Sequence, residues 1–309
     1  MRRNFSPDLM TPPASIDRFV VRAPAKINLC LHIGAKRPDG YHDLQSLVTF
    51  ADFGDELIFE RNSSLSLSIG GPFADSLTGE GENLILKAAR RLRQERGSSD
   101  GAKITLIKHI PVASGVGGGS SDAAAALRGL NRLWNLTSAT AELQRIGAEI
   151  GSDVPVCVEP AAAWMEGRGE RVRFLPALPR LSTLLVNPRV HLSTADVFRR
   201  LDDRSGTNLN APVTPFADVA ALVEYLETTS NDLEAPAVAL TPVIGELLDE
   251  MKRLPGVRFA RMSGSGATCY AIMKDAESSD AGFRDLRNRY PHWWTVATFL
   301  GGSNLSPKS

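Results

Sequence analysis

The chain has 309 residues, with 35 Lys plus Arg balancing 35 Asp plus Glu, and 43% of its residues are hydrophobic. That length suits about two domains whose cores need no disulfide or metal staple, and the neutral balance argues against bulk binding to nucleic acid. Cys30, Cys157 and Cys269 are dispersed and form no CxxC pair, the histidines show no HxxxH spacing, and no apolar run reaches the ~18 residues of a membrane span, so a cytoplasmic protein free of the membrane is expected.

Residues 1–17 carry two arginines but no continuous apolar stretch, and are expected to be a disordered polar tail, unlike a signal peptide. Residues 18–23 (RFVVRA) start a strand that Pro24-Ala25 interrupts. Residues 26–33 (KINLCLHI) then alternate by twos, with Ile27, Leu29, Leu31 and Ile33 on one face and Lys26, Asn28, Cys30 and His32 on the other. Arg37-Pro38-Asp39-Gly40 is a turn signal. Strands are expected over 56–60 and 65–69, a helix over 83–96 stopped by Gly97, and a strand over 103–107. A glycine-rich stretch follows, then helices over 121–134 and 141–150. The second half predicts strands over 184–186, 257–262, 268–273 and 294–299, and helical segments over 196–201, 219–228, 244–254 and 277–290. Gly167, Gly169, Pro176 and Pro179 mark a domain boundary near 165–180, giving domains over 18–170 and 171–309, with the last strand free to return to the first domain.

Residues 111–126 read PVASGVGGGSSDAAAA. Gly115, Gly117, Gly118 and Gly119 leave backbone N–H groups accessible, and Ser120, Ser121 and Asp122 are helix N-cap types ahead of an alanine run. A loop of free amides at a helix N-terminus is an anion site. It is not a Walker A loop, because no Lys follows the glycines, and Ser120 stands where a dinucleotide fingerprint needs its third Gly. The plainer reading, a flexible loop with a tight helix entry, needs fewer glycines than are present.

This stretch resembles the phosphate-binding motif of the GHMP kinases. Two further blocks resemble the same superfamily: APAKINL at 23–29, and Ser263-Gly264-Ser265-Gly266-Ala267-Thr268. Within it, residues 23–48, Gly151-Ser152-Asp153-Val154-Pro155, the segment 186–198 and Asn-Leu-Ser-Pro at 304–307 are similar to the 4-diphosphocytidyl-2-C-methyl-D-erythritol kinases. Ser114 and Val116 depart from the family's usual Ala or Gly and Leu. The resemblance implies an α+β, two-domain GHMP kinase fold with the active site in the cleft between domains. It also implies ATP with Mg²⁺, a small-molecule cytidyl substrate phosphorylated on its 2-hydroxyl, no nucleic-acid partner, and a monomer or weak homodimer. Homoserine or mevalonate kinase is the alternative that shares the glycine loop, and the run Asp39-Gly40-Tyr41-His42 favours the cytidyl substrate over both.

The resemblance assigns Asp153 as the base and Lys26 as its ion-pair partner; taken alone, Asp153 reads as a turn or N-cap residue and Lys26 as an exposed strand lysine. ATP would be held by Pro111, Val112, Ala113, Ser114, Gly115, Val116, Gly117, Gly118, Gly119, Ser120 and Ser121, with Asn83 and Lys108 near the adenine. Asn83 is otherwise a helix N-cap and Lys108 a strand-end lysine. Tyr41 and His42 match the cytosine site, where a ring can stack and an imidazole can bond the base edge. Phe198 matches its second ring, Thr194 a residue near the substrate, and Asn28 a contact to the erythritol part. Ser121 and Asp122 are oxygen donors suited to Mg²⁺, and the sequence assigns the ion to neither.

Overall fold

The computed structural model describes residues 18–77, 83–201, 211–212 and 215–302. The expected tail over 1–17 and the family-like segment 304–307 lie outside them.

Strand β1 (Arg18–Asn28) runs antiparallel to β3 (His42–Glu60), with a register shift between Pro24 and Lys26. Proline cannot donate to the ladder, and the strand absorbs it as a bulge instead of stopping. The expected alternation over 26–33 is therefore split: β1 ends at Asn28, and β2 (His32–Lys36) is a separate strand on β3. Ile27 and Leu29 enter one core, Leu31 and Ile33 another.

The 19-residue β3, expected only over 56–60, is the hub of the N-terminal half. It pairs along its length with β1, β2, β5 (Ala102–Ile107) and β6 (Ala163–Gly167). Strand β4 (Leu65–Gly70) lies parallel to β5 at the outer edge. Helices α1 (Leu84–Arg96) and α2 (Gly118–Leu133) cover this sheet. Ala123, Ala124, Ala125 and Ala126 are fully buried, and Gly129 lies so close to Phe59 that an added Cβ would sit 2.3 Å from the ring. The alanine run is thus what lets α2 approach the sheet. Helices α3 (Thr140–Ala148) and α4 (Val154–Val158) complete the layer. Strand β7 (Arg171–Phe174) forms a hairpin with β6, which pairs with β3, so a cut at residue 170 would split one hairpin.

The C-terminal half comprises β8 (Leu181–Asn187), α5 (Thr194–Arg199), α6 (Val219–Glu227), α7 (Glu234–Leu240), α8 (Val243–Lys252), β9 (Val257–Met262), β10 (Cys269–Met273), α9 (Ala276–Arg289) and β11 (Trp294–Leu300). The strand order β4-β5-β3-β11-β8-β10-β9 joins both halves. The last strand lies along β8 and meets β3 through Leu300 and Ala51. A third apolar cluster, including Ile27, Leu29, Trp164, Leu185 and Tyr270, packs the halves together. The mouth between them is where the two glycine-rich segments meet.

Candidate active site

The glycine loop connects β5 to α2. Gly117 is the N-cap of α2, in left-handed backbone at φ 64°, and no side chain caps the helix. Helix α2 thus begins at Gly118, three residues before the expected start. Ser120 and Ser121 lie inside its first turn, and Asp122 just beyond it, instead of capping it. With no side chain in their place, the first-turn amides stay available to a ligand. The loop is pressed onto β1: the Val116 carbonyl accepts from the Lys26 N–H at 2.9 Å, and a Cβ at Gly117 would lie 3.2 Å from that of Lys26. Pro111, Ser114 and Val116 are buried, whereas Val112 and Ala113 are exposed.

The second glycine-rich segment, between β9 and β10, packs backbone to backbone on the first. A Cβ on Gly115 would lie 2.4 Å from the Gly266 carbonyl oxygen, and one on Gly264 would lie 2.7 Å from that of Gly115. Ser263 accepts from the Asn28 N–H at 3.1 Å and donates to the Gly115 carbonyl at 3.2 Å, while the Thr268 N–H donates to Ser114 O. Asn187 holds Thr268, and Asn231 donates to the carbonyls of Met262 and Gly264. These polar clamps were not assigned from the sequence; only the SGSG motif signalled their place.

Lys26 and Asp153, 127 positions apart, meet with Nζ 2.6 Å from Oδ2. The ammonium is buried and the carboxylate about one-third exposed. Asp153 stands at the N-terminus of α4 but makes no capping bond. Its side chain instead turns toward Lys26 through Oδ2. A carboxylate fixed by a buried ammonium and still partly exposed is placed to accept a proton.

The Lys108 side chain points into the protein. Its ammonium is buried between Asp55 at 2.5 Å and Asp122 at 2.7 Å, below Gly118. Asp55 also accepts from the His109 and Ile110 N–H groups, fixing the chain that leads into the loop. Asp55 escaped the sequence reading, although a carboxylate within an apolar strand is itself a signal. Burial, with the charge of Asp55 nearby, pushes the Asp122 carboxyl up to about 7 against the pull of Lys108. Asp122 Oδ1 has no partner. Ser121 is likewise corrected: its hydroxyl donates to Pro24 O at 2.7 Å and lies 3.4 Å from Cys157 Sγ, while its N–H bonds Gly117 O. Ser121 thus faces the protein, not the loop's ligand side. Asn83 accepts from the Ile85 N–H through Oδ1, as a helix cap does.

Of the expected base-pocket residues, His42 and Phe198 come together, with ring centroids 5.8 Å apart. They arrive from β3 and α5, so the pocket spans both halves. His42 Nδ1 lies 3.1 Å from the Gly34 carbonyl, which can only accept, so Nδ1 is the donor and Nε2 is left outside that bond. Tyr41 does not meet Phe198; it is exposed, with the Arg168 guanidinium 5.1 Å from its ring centroid. Thr194, at the start of α5, shares a hydrogen bond with Ser265 at 2.8 Å, next to the second glycine segment. Asn28 donates to Ser46 at 2.8 Å and is buried beside Gly264.

The chain is similar to known proteins along most of its length. The family model for the N-terminal domain of GHMP kinases matches residues 83–159, and that for the C-terminal domain matches 217–292. The chain is 45% identical to the 4-diphosphocytidyl-2-C-methyl-D-erythritol kinase of Rhodospirillum rubrum, over 93% of this chain and 94% of the relative. It is 45% identical to that of Parvibaculum lavamentivorans, over 91% and 97%. Among solved structures it resembles a 4-(cytidine 5'-diphospho)-2C-methyl-D-erythritol kinase at 32% identity and a TM-score of 0.73, covering 92% of this chain and 100% of that one. A homoserine kinase from Cytophaga hutchinsonii shares the fold at 15% identity and a TM-score of 0.67, over 94% and 98%.

Proposed function

The chain belongs to the 4-diphosphocytidyl-2-C-methyl-D-erythritol kinases of the GHMP family, and we propose that it transfers the terminal phosphoryl group of ATP to the 2-hydroxyl of that cytidyl substrate, in the non-mevalonate route to isoprenoid precursors. The observation that carries this reading is the Lys26–Asp153 pair beside the glycine loop, with its carboxylate partly exposed. In it, the free amides of the first turn of α2 hold the phosphates. Asp153 accepts the hydroxyl proton as the oxygen attacks phosphorus, and Lys26 holds that carboxylate in place. His42 Nε2 suits the exocyclic amine of cytosine, and Phe198 flanks the base. Tyr41 closes the outer edge of the pocket.

Mg²⁺ belongs to the same proposal. Asp122, whose Oδ1 is unbonded, is a fitting hard-oxygen donor, and the ion would neutralise charge on the transferred phosphates. Ser121 does not fit, since its hydroxyl is spent on Pro24. A cytoplasmic monomer or weak homodimer without a nucleic-acid partner completes the reading. Three buried free thiols accord with a reducing compartment, and no described helix is long and apolar enough to cross a membrane.

Homoserine and mevalonate kinases resemble the chain at 15% and 14% identity, a likeness of fold alone. A coupled ADP-release assay with the cytidyl erythritol substrate, homoserine and mevalonate separates the readings. Turnover is expected with the first only; turnover with either of the others would reject the assignment.

A further inference from the structure

Arg128 lies on α2, seven residues beyond Ser121. Its guanidinium binds backbone carbonyls instead of a carboxylate. Nη1 donates to Cys157 O at 2.7 Å and Val158 O at 3.2 Å, the carbonyls at the C-terminal end of α4, and Nη2 donates to Arg22 O of β1 at 2.6 Å. A cation at a helix C-terminus satisfies carbonyls that the helix leaves unbonded. Each of the three elements it joins carries one part of the site. Helix α2 begins at the phosphate loop, α4 begins after Asp153, and β1 continues from Arg22 to Lys26. Ser121 joins the same elements nearer the loop, through Pro24 O and Cys157 Sγ. Residues seven apart on a helix share a face, so two braces on one face of α2 hold β1 and α4.

We propose that Arg128 is a positioning residue for phosphoryl transfer: it locks β1 and α4 to α2, so that Lys26 and Asp153 keep their placement relative to the phosphate-binding amides. This rests on the reading of Asp153 as the base. Arg128 touches neither substrate nor the pair itself; it acts on the far end of the short α4, whose near end aims the carboxylate. Misplacing a reacting group by about 1 Å costs on the order of 10²-fold in rate.

The test is the kcat and KM of Arg128→Met and Arg128→Lys, each with Asp153 intact and with Asp153→Asn, with thermal unfolding of every variant measured alongside. Arg128→Met is expected to lower kcat by roughly 10- to 10²-fold while the KM values for ATP and the cytidyl substrate stay within about threefold. Arg128→Lys, which keeps a cation and some of the bonds, recovers part of the loss. On the Asp153→Asn background the Met substitution is expected to cost less than about threefold more, because the group it positions is already disabled. A parental kcat in folded Arg128→Met, or an equal loss on both backgrounds, overturns the proposal. Should Arg128→Met fail to fold, Arg128→Lys is judged by the same criteria with a smaller loss. If Asp153→Asn alone turns over near the parental rate, the base reading has failed and the proposal with it. If Asp153→Asn is impaired and folded Arg128→Met is not, only the role of Arg128 has failed.

Discussion

Asp122→Asn, measured without nucleotide or metal, isolates the charge imbalance below the loop. One ammonium, that of Lys108, serves two buried carboxylates at 2.5 and 2.7 Å, and Asp122 Oδ1 has no partner. Asparagine keeps the shape, can accept from Lys108 through one atom, and places its amide nitrogen where nothing competes. The Asp122 carboxyl is raised from 3.8 to about 7 by burial. Between those values the unfolded chain has released this proton and the folded chain has not. This group's contribution is therefore fully present below about pH 4 and is lost as pH rises through 7. The loss approaches about 1.4 kcal/mol per pH unit for one proton, an upper bound of about 4 kcal/mol across the window. Since Asn does not titrate, the stability of Asp122→Asn relative to the parent should climb from pH 5 to pH 7 and level off near pH 8. Urea unfolding at pH 5, 6, 7 and 8 measures it. A difference that is flat across that range would refute the idea that Asp122 holds its proton near neutrality in the folded protein.

Lys108→Met strands Asp55 and Asp122 without their cation and should cost about 3–5 kcal/mol in urea unfolding at pH 7.5. Gly118→Val puts carbon 3.2 Å from Lys108 Nζ and presses on Ile110, shifting the start of α2 and its amides, so ATP affinity measured by calorimetry should fall sharply in a folded protein. Tyr41→Ala should raise the KM for the cytidyl substrate and leave that for ATP nearly unchanged, the lost ring contact being worth roughly 1–3 kcal/mol. Because Tyr41 is exposed, its thermal stability should not move.

The glycine loop was legible as a local motif, whereas the SGSG segment and the Lys26–Asp153 pairing were reached only through the family resemblance, the two residues of the pair lying 127 positions apart. What was not legible depends on long-range contacts. The strand break after Asn28 is one case: its alternation reads straight through Leu31, yet Leu29 and Leu31 belong to different cores. The start of α2 is another, because three capping residue types marked the wrong boundary once a left-handed glycine could serve as N-cap. Lys108 read as a strand-end lysine or a nucleotide contact. Only the pairing of β3 with β5 brings Asp55 beneath it. Ser121 lost its expected role for the same reason, as β1 passes behind the loop and takes its hydroxyl. Arg128 carried no signal at all, since its partners are main-chain carbonyls that no residue pattern reveals.

The most direct test of the account is the turnover of Asp153→Asn with ATP and the cytidyl erythritol substrate. Asparagine keeps a hydrogen bond to Lys26 but cannot take the hydroxyl proton, so kcat should drop by roughly 10²–10⁴-fold. Both KM values should change only modestly, because the glycine loop and the base pocket are untouched. A folded Asp153→Asn protein that turns over within a few-fold of the parent would contradict the assignment of Asp153 as base, leaving transfer to rest on positioning and charge stabilisation alone.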